Sequence, residues 1–278
     1  MKLSQWLLLS SLVFSQLSFS QTYPWTPTYK FVEKAEEDLF EKADIDNVEY
    51  SRYSKDPSEI HRENLAAITN FIGEEMDLTY ANSTDVKSLS PDDVEDALEV
   101  AGENPVVSLY AYSKYDPENQ GIGFCFGRAM FTNIHLAMKG VEREHIKKAF
   151  VVGEMSTGDG NQWGWHVTTI VQSLEKDENG QVREQWLAVD PIIGYAITLE
   201  EWYLEMRNNY STDKRLRLYI AEAGKLSPRA SSKYTEQLKK VEFYNNYFLD
   251  MAEWFDQTAN EPEGIYSDMN KYKNYEVK

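Results

Sequence analysis

The one cysteine of the chain, Cys125, follows Gly121-Ile122-Gly123-Phe124 at the point where a helical pattern begins. A thiol placed there suits nucleophilic chemistry, because the unpaired N–H groups and the dipole of a helix N-terminus favour the thiolate. The same N–H groups can hold the oxyanion of an acyl-transfer intermediate. The other reading is a buried cysteine acting as a small apolar side chain. A thiol nucleophile needs a base, and four histidines are present. His61 and His145 lie in charged stretches expected to be exposed helix, and His135 falls two turns or more beyond Cys125. His166, in Trp163-Gly164-Trp165-His166-Val167, opens a strand among apolar neighbours. Such a histidine is either a hydrogen-bonded core residue or the base.

A third group depends on strand register. Asn179-Gly180 lies between two strand patterns and marks a hairpin. If residues 178–180 form a three-residue turn, His166 falls opposite Ile192, and Asp190 lies two residues away on the same face. That diagonal is about 7–8 Å at the backbone, within reach of His and Asp side chains. A two-residue turn would put them on opposite faces. Asp190, just before Pro191, has the alternative of ending the strand and bonding the turn backbone.

The elements that must position these groups are legible in outline. A helix is expected from about Phe124 to Lys139, burying Met130, Ile134, Ala137 and Met138, with Gly140 as its stop. Strands follow at 149–155, 165–174 and 183–189, and another around Leu216, Leu218 and Ile220. Thr198 and Glu201 form a capping box for a helix to about Asn208. A long helix from about Ser232 to Phe255 would bury Tyr234, Leu238, Val241, Phe248 and Trp254. Upstream, Asp56-Pro57 opens a helix with the stripe Leu65, Ile68, Phe71 and Ile72, and Ser90-Pro91 opens another that Gly102 closes. A central helix against an antiparallel sheet is an α+β arrangement.

Charge divides the chain. Residues 21–104 hold 21 acidic and seven basic residues, whereas residues 105–278 hold 25 and 20. That step suggests an acidic, mainly helical N-terminal module followed by a second module. Residues 1–20 read as a signal peptide: Lys2, the apolar run from Trp6 to Phe14, then Ser18 and Ser20 before a cleavage point. The expected location is therefore periplasmic or secreted. A net charge of −18 argues against nucleic acid, and no later run is long enough to span a membrane. One cysteine excludes an intramolecular disulfide and a multi-cysteine zinc site. No HExxH occurs, and the loop at Glu175 has Trp186 where a calcium loop needs its last carboxylate, so no metal or other cofactor is expected.

Cys125-Phe126-Gly127-Arg128-Ala129, Phe150-Val151-Val152-Gly153, Trp163-Gly164-Trp165-His166-Val167 and Val189-Asp190-Pro191 together resemble the bacterial protein-glutaminase family. The likeness runs from Gly121 to Ala223 and keeps the four motifs in order. It implies a papain- and transglutaminase-like core and hydrolysis of glutamine side-chain amides in proteins to glutamate and ammonia. By that resemblance Cys125 matches the nucleophile, His166 the base and Asp190 the orienting carboxylate, and Arg128 matches an arginine of open role. Gln120 is a candidate second oxyanion donor by position. Trp163 and Trp165 would either wall the substrate channel or pack in the strand. The resemblance further implies an N-terminal segment that covers the site, so residues 21–104 are either a removable pro-segment or an integral domain. Transglutaminase and cysteine peptidase share the same triad logic, and a non-catalytic exported binding protein would need none of it.

Overall fold

The computed structural model describes residues 54–82, 89–116, 124–157, 162–176, 182–224 and 242–260. The expected signal peptide, residues 21–53, Gln120 with the Gly121-Ile122-Gly123 lead-in, and the hairpin tip at Asn179-Gly180 lie outside them.

Helix α1, Pro57–Asn82, starts where Asp56 accepts a hydrogen bond from the Ser58 backbone N–H at 2.8 Å. Its expected stripe faces inward, with Ile68 fully buried and Leu65, Phe71 and Ile72 packed around it. Helix α2, Pro91–Glu103, carries a complete capping box between Ser90 and Asp93. It continues through Gly102 and ends at Asn104, whose side-chain oxygen accepts from the Val106 and Val107 N–H groups. After a short helix α3, Tyr112–Tyr115, comes α4, Cys125–Met138.

The sheet is built from β1 (Ile146–Ser156), β2 (Gln162–Lys176), β3 (Val182–Val189) and β4 (Ile197–Thr198). Helix α5 (Leu199–Glu205) runs into a π turn at Met206–Tyr210, and β5 (Arg217–Glu222) follows. Helix α6, Glu242–Asn260, is the final described element. The strand order is β4-β3-β2-β1-β5, antiparallel throughout. Helix α4 packs with Phe150, Val152, Trp165 and Val167 on one side of the sheet. Helices α1 and α5 cover Ala149, Val151, Ile170 and Trp186 on the other. The fold is α+β.

Two helices bury other residues than expected. Helix α4 turns Cys125, Phe126, Gly127, Ala129, Phe131, Thr132, His135 and Leu136 inward, while Ala137 is exposed and Met130, Ile134 and Met138 are half-buried. The inward stripe includes Thr132 and His135, so hydropathy alone favoured the wrong side. At Gly127 a Cβ would run into the ring of Tyr247, so α4 and α6 touch through a glycine. Helix α6 buries Tyr247 and Met251, with Phe248 and Trp254 half-buried. The expected start of this helix, with Tyr234, Leu238 and Val241, lies outside the described residues.

Helices α1 and α2 share the core of the sheet. Val94, Ala97 and Leu98 pack with Leu136, Val171 and Val189, and Leu89 bonds into β2 through its carbonyl to the Leu174 N–H at 2.9 Å. The Asn64 amide of α1 is buried against β5. It donates to the Leu216 carbonyl at 2.7 Å and the Tyr203 hydroxyl at 3.0 Å, and it accepts from the Leu218 N–H at 3.1 Å. Each bond is worth about 1 kcal/mol net, but a buried partner left without one costs about 1–3 kcal/mol. Asn64→Leu is therefore expected to destabilise the protein by about 2–4 kcal/mol, read as a lowered denaturant midpoint at unchanged slope. A loss below about 1 kcal/mol would mean that these bonds are replaced by water.

Candidate active site

The β2–β3 register brings the second and third groups together. Thr169 pairs with Val189 and Val171 with Leu187, the register that a three-residue turn requires. One step further along, Asp190 lies level with Thr168, on the face that His166 shares. The His166 ring meets Asp190 through Nε2 and Oδ2 at 2.7 Å, with both side chains buried. That leaves Nδ1 for another partner, and the Cys125 thiol stands near enough to help raise the imidazole. Cys125 is the first residue of α4 and is buried. Phe124 caps that helix with no side-chain bond, and its carbonyl accepts from the Arg128 N–H at 2.9 Å.

A buried ion pair is costly unless its remaining lone pairs are satisfied. Here they are. Oδ2 of Asp190 also accepts from Trp202 Nε1 at 2.7 Å, and Oδ1 accepts from the Ile192 N–H at 3.1 Å. The turn after β3 is closed by the Ile193 and Gly194 N–H groups on the Asp190 carbonyl, with Gly194 in the left-handed region at φ 83°. Burial works against charge on both partners. For His166 the charge and hydrogen bond of Asp190, helped by Cys125, outweigh it and push the imidazole up to about 9. For Asp190 burial raises the carboxyl, but His166, Trp202 and the Ile192 N–H hold it below its ordinary value.

Trp202 was not legible as a site residue. It reads as one apolar position of a capped helix, and the capping box between Thr198 and Glu201 is complete as expected. Its indole lies 6.1 Å from the His166 ring, centroid to centroid, and it is fully buried. Only the path of residues 191–197 reveals that it meets Asp190.

The remaining candidates are spread out. Trp165 is buried between Phe126 and Phe150, at ring distances of 6.4 and 6.3 Å, and packs in the core. Trp163 is half-buried, in the same cluster as the half-buried Ile193 and Tyr210. Burial, then the charge of Asp190, raises the Tyr210 phenol, so this ring stands near the carboxylate. Arg128 is half-buried on α4. His61 is packed on Tyr203 rather than exposed, and His145 is buried in a 3₁₀ turn with the Gln172 side chain as its partner. Their charged neighbours Arg62, Glu142, Arg143 and Glu144 are exposed, but α1 covers the sheet and the His145 turn leads straight into β1, so the two rings turn inward. Among the described residues no cluster of His, Cys, Asp and Glu is arranged to hold a metal, and no helix is long and apolar enough to cross a membrane.

Fold and site together define an α+β protein with a buried thiol–imidazole–carboxylate cluster at a helix N-terminus. No family model matches the sequence, and no curated protein matches it. Solved structures are similar to it. The NMR structure of protein-glutaminase from Chryseobacterium proteolyticum matches at 14% identity and TM-score 0.39, over 59% of this chain and 90% of that one. A crystal structure of protein-glutaminase matches at 15% identity and TM-score 0.39, over the same 59% and 90%. A crystal structure of pro-protein-glutaminase matches at 18% identity and TM-score 0.34, and this chain spans 51% of its length.

Proposed function

We propose that this chain is an exported protein-glutamine deamidase, which hydrolyses glutamine side-chain amides in proteins to glutamate and ammonia through a cysteine thioester. The observation that carries the reading is the buried cluster in which Asp190 bonds both His166 and Trp202 while the Cys125 thiol stands beside the same imidazole. The four ordered motifs of the sequence supply the substrate class.

In this reading His166 takes the Cys125 proton through Nδ1, and Asp190 on Nε2 holds the ring in place and stabilises its charge. The thiolate attacks the side-chain amide carbon, and the N–H groups at the start of α4 are proposed to receive the oxyanion. The C–N bond breaks as the imidazolium passes its proton to the leaving nitrogen, which departs as ammonia. Water then adds to the thioester, giving its proton to His166. The C–S bond breaks, and glutamate and the free thiol are regenerated. Trp163, Ile193 and Tyr210 guide the substrate side chain, and Gln120 is proposed as a second oxyanion donor. No step needs a cofactor.

Any inhibitory segment is proposed to lie within residues 21–53, because α1 and α2 share the sheet's core. The test is incubation with casein, following ammonia release and glutamine-to-glutamate conversion by mass spectrometry. Incorporation of a primary amine in place of water would make the chain a transglutaminase, and new chain termini would make it a peptidase.

Trp202→Phe keeps the ring and removes the N–H on Asp190. A hydrogen bond to a charged group is worth about 1.5–3 kcal/mol, so kcat is expected to fall about 10- to 100-fold with KM nearly unchanged. Full activity in this variant would show that Asp190 is held without the indole.

A further inference from the structure

A lysine is buried on the same side of the sheet as the nucleophile. Lys148 is 1% exposed and among the largest fully buried side chains of the protein. Strand residues alternate between faces. Its neighbours at that period are Ile146, packed with Leu136 of α4, and Phe150, packed with Cys125, Phe126 and Ala129. Lys148 therefore points to the face that α4 covers. Its cross-strand partner on β2 is Thr169, and their Cβ atoms are about 5 Å apart. The Thr169 hydroxyl donates to the Ala129 carbonyl, one turn from Cys125, at 2.8 Å. Lys148 thus stands beside the point where β2 grips the first turn of the catalytic helix.

We propose that Lys148 is a positioning residue whose buried ammonium favours the ionised form of the Cys125 sulfur, a role that rests on the reading of Cys125 as the nucleophile. The electrostatics agree with the geometry. Burial pulls the Lys148 ammonium down to about 7, and the charge of Cys125 works against that fall. A pairwise interaction is reciprocal, so the cation favours the thiolate as much as the thiolate favours the cation. Among the described residues, titratable groups on this side include Tyr115 of α3, Tyr219 of β5, Tyr247 of α6, and His135 with Lys139 towards the far end of α4. Tyr115 is engaged with Asp250, which Lys114 also holds.

Cys125 is the only cysteine, so iodoacetamide reads its ionisation alone, whether or not the protein deamidates anything. Lys148→Met and Lys148→Gln both remove the charge, one with an apolar chain of similar length and one with a polar chain. In both, the midpoint of the alkylation–pH profile is expected to move up by about one pH unit, with alkylation below that midpoint slowed about tenfold. Deamidation by the same variants should lose kcat more than KM. Thr169→Val, which loosens the helix grip without touching the charge, should leave the midpoint in place. Profiles in both Lys148 variants that superimpose on the parent's, with native near-UV circular dichroism, would overturn the proposal. A parent that alkylates as expected but releases no ammonia would sink the deamidase reading and leave this one standing.

Discussion

Cys125→Ala is expected to lower ammonia release from casein by at least about 10⁴-fold, to the level of the protein-free control. The substitution removes the only atom that can form the thioester. It should do little else: a small buried side chain is exchanged for a smaller one at the first turn of a helix, for about 1 kcal/mol or less of stability. The variant should therefore unfold within a few degrees of the parent. It should still bind glutamine-bearing protein, because Trp163, Ile193 and Tyr210 are untouched. A Cys125→Ala protein that releases ammonia at more than one part in a hundred of the parent rate would place the chemistry elsewhere. Indifference to the change, with binding intact, is the signature of the non-catalytic binding protein.

Asp190→Asn is expected to have the second-largest effect, a fall of about 10⁴-fold in kcat. The amide can meet Nε2 of His166, but it carries no charge to offset the burial of an imidazolium. In the parent that offset keeps the ring protonated up to about 9. The alkaline limb of kcat/KM should accordingly lie near pH 9 in the parent and drop below neutrality in Asp190→Asn, where burial is left to act alone. Folding should report the same groups. His166 has its ordinary value of 6.5 when unfolded and a higher one when folded, so its contribution is fully present below pH 6.5 and is lost as pH rises through about 9. Lys148 runs the opposite way. Its folded value near 7 lies below its ordinary 10.5, so stability rises between those limits. The parent sums the two, whereas Asp190→Asn should show mainly the rise. Denaturant titrations at several pH values would read this, and an equal pH dependence in both proteins would rule out the His166–Asp190 pair as its source.

Local signals carried much of this fold. Ser90 with Asp93 and Thr198 with Glu201 are short-range chemistry, and both capping boxes form as their sequences dictate. The β2–β3 register followed from asking which turn length puts two functional groups on one face. What was not legible is long-range. Trp202 reaches Asp190 only because residues 191–197 fold back in a turn that Gly194 permits. The inward face of α4 is set by Tyr247 against Gly127, a contact between residues 120 positions apart in the sequence that no period within one helix encodes. His145 lies in a run of charges, yet it is buried because the chain enters β1 directly behind it. Lys148 looks like one more surface lysine beside Lys147 until strand alternation sends the two to opposite sides.

Asn64 has a consequence beyond the stability it lends. At the edge strand β5 and the residue just before it, the Leu218 N–H and the Leu216 carbonyl both meet the Asn64 carboxamide. A primary amide has the donor and acceptor of a peptide group, so one side chain imitates a sixth strand at that point. Open sheet borders recruit strands from other molecules when their polar groups are on offer. Here the offer is withdrawn by a helix, without a proline in the strand. The chain can therefore keep Leu216 and Leu218 apolar for its own core and still resist stacking edge to edge with its copies.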